Sequence, residues 1–201
     1  ELIEAGADVN AKNNSNWTSL HHATHSGNWS MVQFLIDHHA DVNAQTQDNG
    51  RSGNAPLHLA AKGRHLEDIA KYLIDNGANL NPRNETSGHR PIHDAVINGN
   101  LEMVKLLVDG GADMQPEDYS GWNRPLHHAA QRGFREIAKY MLDHGTDVNV
   151  KNHSNLTPLD VARDEEMKKF LRKYKGISGH PKATQPKSFW GSMRQWFKKS
   201  R

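Results

Sequence analysis

Cysteine does not occur anywhere in this chain of 201 residues. Its absence excludes disulfide staples, thiolate nucleophiles and cysteine-based metal centres. It also fits a reducing compartment, the cytoplasm or the nucleus. No apolar run is long enough to span a membrane, and no secretory leader pattern opens the chain. Hydrophobic residues make up 35% and aromatics 7%, which is little for one thick core of this length. The net charge of +2 conceals a division. Residues 176–201 hold six basic residues and no acid, so the rest carries 19 basic against 23 acidic residues, a charge of −4. A mildly acidic body argues against nucleic acid as its partner. Catalytic signatures are missing too: there is no Gly-rich phosphate loop, no Gly-x-Ser-x-Gly and no His-Glu-x-x-His. No enzymatic activity, cofactor or metal is expected. The nearest approach to a metal motif is His21 and His25, one helical turn apart, and no acidic residue lies in that helix to complete a set.

What the chain does contain is repetition. Five versions of one phrase recur: Thr18-Ser19-Leu20-His21-His22-Ala23, Ala55-Pro56-Leu57-His58-Leu59-Ala60, Arg90-Pro91-Ile92-His93-Asp94-Ala95, Arg124-Pro125-Leu126-His127-His128-Ala129 and Thr157-Pro158-Leu159-Asp160-Val161-Ala162. The aligned Leu/Ile positions are spaced by 37, 35, 34 and 33 residues. A period of this size indicates stacked units, each burying its apolar faces only against its neighbours. A second phrase alternates with the first: Gly6-Ala7-Asp8-Val9-Asn10, His39-Ala40-Asp41-Val42-Asn43, Gly77-Ala78-Asn79-Leu80-Asn81, Gly111-Ala112-Asp113-Met114 and Gly145-Thr146-Asp147-Val148-Asn149.

Within one period the residues predict helix, turn, helix and extended finger. Pro125 suits a first helical position, because its φ is preset and its missing N–H would be an orphan there. Leu126, Ala129 and Ala130 share one face. Gly133 ends that helix. A second helix is predicted from Arg135 to about His144, and Gly145 stops it in a left-handed cap. Thr18 and Thr157 can cap their helices, whereas Ala55, Arg90 and Arg124 cannot, at a cost of roughly 1 kcal/mol each. His39 takes a helix-stop position suited to glycine, and Asn16 and Asn155 are of the residue type that tolerates the left-handed region. The finger after Asn43 is the longest, and Gly50 and Gly53 favour a turn within it. Trp29 falls where the repeat expects a core leucine, so a packing role is predicted.

The two phrases resemble those of the ankyrin-repeat family over residues 1 to about 175. The resemblance implies an all-α solenoid of helix-turn-helix-finger units. The units are a partial one at 1–13, repeats at 14–46, 47–83 (long finger), 84–117 and 118–150, and a capping repeat at 151–175. The histidines at 21, 58, 93 and 127 would then hydrogen-bond locally and between repeats. Binding of a protein partner through finger tips and the exposed first-helix face is implied, with a scaffold, adaptor or inhibitor role and a monomeric chain. Trp17, His25, Arg51, Arg90, Tyr119, Trp122, Arg124 and Arg132 are the candidate anchors, since aromatic and arginine side chains dominate interface energetics. The resemblance also marks Asn10, Asn43, Asn81 and Asn149 as candidate substrates for β-hydroxylation by a dioxygenase.

Beyond the repeats, the Gly and Pro content of 176–187 predicts a linker. In 188–201, Phe189, Trp190, Met193, Trp196 and Phe197 fit one stripe of an amphipathic basic helix. Packing on the last repeat and docking on an anionic membrane surface are both readings of that tail. Glu1 opens the chain in what reads as a helix end, so an upstream helix is expected. Membership of a larger enzyme, channel or toxin, with this segment as its recruiting part, is a third reading.

Overall fold

The computed structural model describes residues 6–48 and 50–179. The N-terminal residues 1–5 and the tail anchors Phe189, Trp190, Met193, Trp196 and Phe197 lie outside them, as does most of the predicted linker.

Four helix pairs follow one another along the chain. They are α1 (Ser19–His25) with α2 (Trp29–Asp37), α3 (Pro56–Lys62) with α4 (Glu67–Asp75), α5 (Pro91–Ile97) with α6 (Leu101–Asp109), and α7 (Pro125–Arg132) with α8 (Arg135–Asp143). A last helix, α9 (Glu165–Lys173), closes the described stretch. The extended packing is between partners within a pair, between successive first helices (α1, α3, α5, α7), and between the second helices α4, α6 and α8. This is the solenoid that the period predicts.

The core is one layer of small and aliphatic side chains running the length of the stack. Leu20, Leu57, Ile92 and Leu126 supply the first helices' share, all essentially inaccessible. Leu35, Leu73, Leu107 and Met141 supply the second helices' share. Ala60, Ala95 and Ala129 are buried between them, and their small size lets successive helices approach. α9 buries Met167 and Leu171 and turns Glu165, Glu166 and Lys169 outward. That polar outer face suits the end of a stack.

Trp29 departs from expectation. It opens α2, 37% exposed, with its ring edge-on to Tyr72 at 5.2 Å. It packs, but on the surface rather than in the core, because Val32, Leu35 and Ile36 already fill the buried stripe of α2. The fifth phrase also differs from the others, since residues 158–160 form only a turn. Asp164 accepts a hydrogen bond from the Met167 amide and starts α9, leaving no length for a first helix.

The long finger folds into a small hairpin, β1 (Gln47–Asp48) against antiparallel β2 (Arg51–Ser52). Gly50 in its turn has φ +77°, as the glycine suggested. Gly145 and Gly133 are left-handed at their helix ends, and so are His39 (φ 66°), Asn16 (56°) and Asn155 (59°).

Candidate protein-binding surface

The fingers are ordered from within and then tied to one another. Inside every finger but the long one, a side-chain oxygen gathers two backbone amides. Asn13 accepts from Ser15 and Trp17, Asn84 from Thr86 and Ser87, Asp118 from Ser120 and Asn123, and Asn152 from Ser154 and Leu156. These are Asx turns, in which a short polar side chain imitates the backbone acceptor of a turn. Main-chain bonds then join neighbouring fingers. The amides of Gln47, Glu85, Tyr119 and His153 donate to the carbonyls of Ser15, Ser52, Ser87 and Gly121. The finger edge is therefore a continuous hydrogen-bonded rim.

Below the rim runs a ladder of histidines. Nδ1 of His21, His58, His93 and His127 accepts the backbone N–H of Thr18, Ala55, Arg90 and Arg124 at 3.0–3.2 Å. With Nδ1 an acceptor, Nε2 carries the proton. It donates to a carbonyl of the following finger: Asn54, His89, Pro116 and Leu156, each at 3.0–3.1 Å. Each ring thus closes its own helix start and holds the next unit. Burial, chiefly, lowers the pKa of all four and brings His58 and His93 to about 4. In addition, the amides of His58, His93 and His127 donate to the Ala55, Arg90 and Arg124 carbonyls. These bonds soften the cost expected at the three starts that lack threonine.

Asparagines form a second ladder. Asn10 Nδ2 donates to the His39 carbonyl and its Oδ1 accepts the Asp41 amide. Asn43 bridges Gly77 and Asn79 in the same way, and Asn149 bridges Lys175 and Ile177. Asn81 Oδ1 accepts the Asp113 amide. At the C-terminal ends of the second helices, Tyr72, Tyr140 and Tyr174 hydroxyls donate to Asp37, Asp109 and Asp143.

The candidate anchors fall into four groups on this frame. Trp122 (52%) and Tyr119 (43%) are the most exposed aromatics of the rim. Trp122 sits at φ 60° and stacks on His153 at 5.7 Å, while Tyr119 lies under the Arg83 guanidinium at 4.4 Å. Arg51 and His25 are exposed. Trp17 is half-buried, its ring against those of His21, His22 and His25. The other arginines are engaged internally. Arg90 pairs with Asp113 at 3.2 Å. Arg124 donates to the Gln115 and Lys151 carbonyls and to Glu117. Arg132 reaches His128 Nδ1 at 3.5 Å. His21 has both ring nitrogens committed, so the His21–His25 pair is not a ligand set.

One cluster escapes a reading of single periods. His89 stands before α5, Asp118 in the following finger and His128 in α7, and the chain brings their ligand atoms within 4.8 Å of one another. The only hint in sequence is register. His89 and His128 occupy positions where other units carry Trp17, Asn54 and Asn123, or His22, Leu59 and Asp94.

Comparison with known proteins agrees with this architecture. The family described as "Ankyrin repeats (3 copies)" matches residues 1–84, 44–118 and 92–182. An ankyrin repeat protein of Acanthamoeba polyphaga mimivirus is 36% identical over 103 residues, 51% of this chain and 13% of that protein. The NF-kappa-B inhibitor cactus of Drosophila melanogaster is 36% identical over 75 residues, 37% of this chain and 14% of its own length. Among solved structures, the ankyrin repeat domain of Bcl-3, a member of the IkappaB protein family, superimposes with a TM-score of 0.76 at 31% identity. That match covers 85% of this chain and 74% of the other. The chain spans about one seventh of the length of these two relatives. No helix among the described residues is long and apolar enough to cross a membrane.

Proposed function

The chain belongs to the ankyrin-repeat family, and on that footing we propose that it recognises a protein partner, without catalysis, through the finger rim and the adjoining first-helix ends. The observation that carries this reading is Trp122. A bulky side chain in the left-handed region costs roughly 1–2 kcal/mol, and this one is held there half exposed, on a rim fixed by backbone bonds to both neighbours. Retained strain at an exposed aromatic points to use rather than to packing. Tyr119 and Arg51 extend the same rim, and Trp17 with His25 marks its N-terminal end. Arg90, Arg124 and Arg132 act chiefly as clamps that keep the rim rigid, which limits the entropy lost on binding.

An adaptor or inhibitor role fits best, since relatives include an NF-kappa-B inhibitor and a member of the IkappaB family. The test is affinity capture with the chain as bait, followed by titration of the captured partner against wild type and the Trp17→Ala/Trp122→Ala double variant. Affinity is expected to fall at least about tenfold, as for loss of aromatic anchors. Equal affinity of the two proteins would refute the assignment.

A further inference from the structure

We propose that His89, Asp118 and His128 form a binding site for a divalent transition metal of the zinc class, where the start of α5, α7 and the finger between α6 and α7 converge. Three lines of geometry carry this.

The first is the donor set. His128 Nε2 lies 2.7 Å from Asp118 Oδ2, and His89 Nε2 lies 3.9 Å from the same oxygen. Ligand atoms around tetrahedral zinc stand about 3.3 Å apart, given bonds of about 2.0–2.2 Å. The two observed separations bracket that value, and all three ligand atoms lie within 4.8 Å of one another, so closing the imidazoles by about an ångström or somewhat more completes three corners. The fourth corner is left for water or another exogenous donor.

The second is the outer support. His89 Nδ1 donates to Asp94 Oδ1 at 3.1 Å. That bond fixes the tautomer and leaves the Nε2 lone pair facing the Asp118 carboxylate. A carboxylate behind a ligating histidine is the usual arrangement at metal sites. Asp118 is held as firmly: its Oδ1 takes the Ser120 and Asn123 amides and its Oδ2 the Ser120 hydroxyl.

The third is surplus charge. The finger turn requires only an acceptor, and Asn13, Asn84 and Asn152 supply one at the equivalent places. Asp118 adds a fully buried negative charge there. Asp94, 3% exposed, adds a second, and its Oδ2 lacks a hydrogen-bond partner. Lys62 is the nearest cation to that oxygen, at 3.9 Å. Two buried carboxylates beside two imidazoles favour a bound cation. On binding, the metal displaces the proton that His128 Nε2 gives to Asp118; the ring then carries it on Nδ1, and the Arg132 guanidinium, 3.5 Å from that atom, gives up its long contact.

The experiment is calorimetric titration of the 201-residue chain with zinc chloride, repeated with Asp118→Asn, His89→Gln and His25→Gln. Asp118→Asn restores the asparagine that the other fingers use, so the turn survives; circular dichroism of the metal-free variant checks this. One equivalent should bind to wild type and to His25→Gln. The two site variants should bind about tenfold or more weakly. Zinc should raise the melting temperature of wild type but not of Asp118→Asn. Failure of wild type to bind would overturn the proposal and leave the His89 ring as a hydrogen-bond partner of Asp94 alone. Equal binding by the site variants, or loss in His25→Gln alone, would overturn it as well.

Discussion

His39 shows how one side chain can be read for its backbone. It occupies the helix-stop position where other units carry glycine, and it is held at φ 66° with its side chain exposed. His39→Gly removes strain of about 1 kcal/mol, so a higher melting temperature is expected in thermal unfolding. Gly88 is the converse case. At φ +75°, an added Cβ would come within 2.6 Å of the Tyr119 amide nitrogen. Gly88→Ala therefore combines strain with a clash that parts the Tyr119–Ser87 finger bond, and should lower stability by roughly 2–3 kcal/mol in urea titration. His39, Asn16 and Asn155 were legible because the phrase marks their positions. Trp122 stands at the phrase position of Asn16 and Asn155, and there the finger geometry holds even a tryptophan left-handed. His65, in the turn between α3 and α4, is left-handed too, and no phrase marks it.

The helices and the long hairpin follow from local cues: proline at helix starts, glycine at stops, glycines in a polar finger. The fifth phrase keeps Pro158 and Leu159 yet makes only a turn. Asp160 replaces the histidine there, and its carboxylate takes the amide and hydroxyl of Thr157, the Gly179 amide and the Ser178 hydroxyl. Burial disfavours the charge, but these donors outweigh it and hold the pKa at about 2. Elsewhere the histidine ladder ties the units and sets the response to acid. His58 and His93 titrate near 4 when folded and near 6.5 when unfolded. Above about pH 6.5 neither state binds a proton at these sites, and their contribution is complete. Between 6.5 and 4 the unfolded chain takes up protons that the folded one refuses. Stability should therefore fall across that window in urea titrations at stepped pH, by a few kcal/mol in all. His58→Ala should flatten part of this dependence. It should also cost roughly 2–5 kcal/mol at pH 7.5, since the Ala55 amide and His89 carbonyl lose their partners.

For the molecule entire, a fixed period was enough to give the stack, because each unit is sheltered by those beside it. The ladders of histidine, asparagine and tyrosine were legible only in part. The histidines belong to the phrase, but the partner carbonyls lie one unit on, where finger length decides the register. The His89–Asp118–His128 cluster was less legible still, since its members come from two units and meet only when α5 and α7 stack. Binding and stability should separate on this frame. Trp122→Ala should leave the unfolding midpoint nearly unchanged, because the side chain is half exposed and alanine bears the same left-handed strain, while partner affinity falls. The most direct test of recognition through the rim is amide hydrogen exchange with and without saturating partner. Slowed exchange should gather in the fingers, at residues 13–18, 45–54, 84–90, 118–124 and 151–157. Slowing confined to α2, α4, α6 and α8, or to residues 180–201, would contradict it.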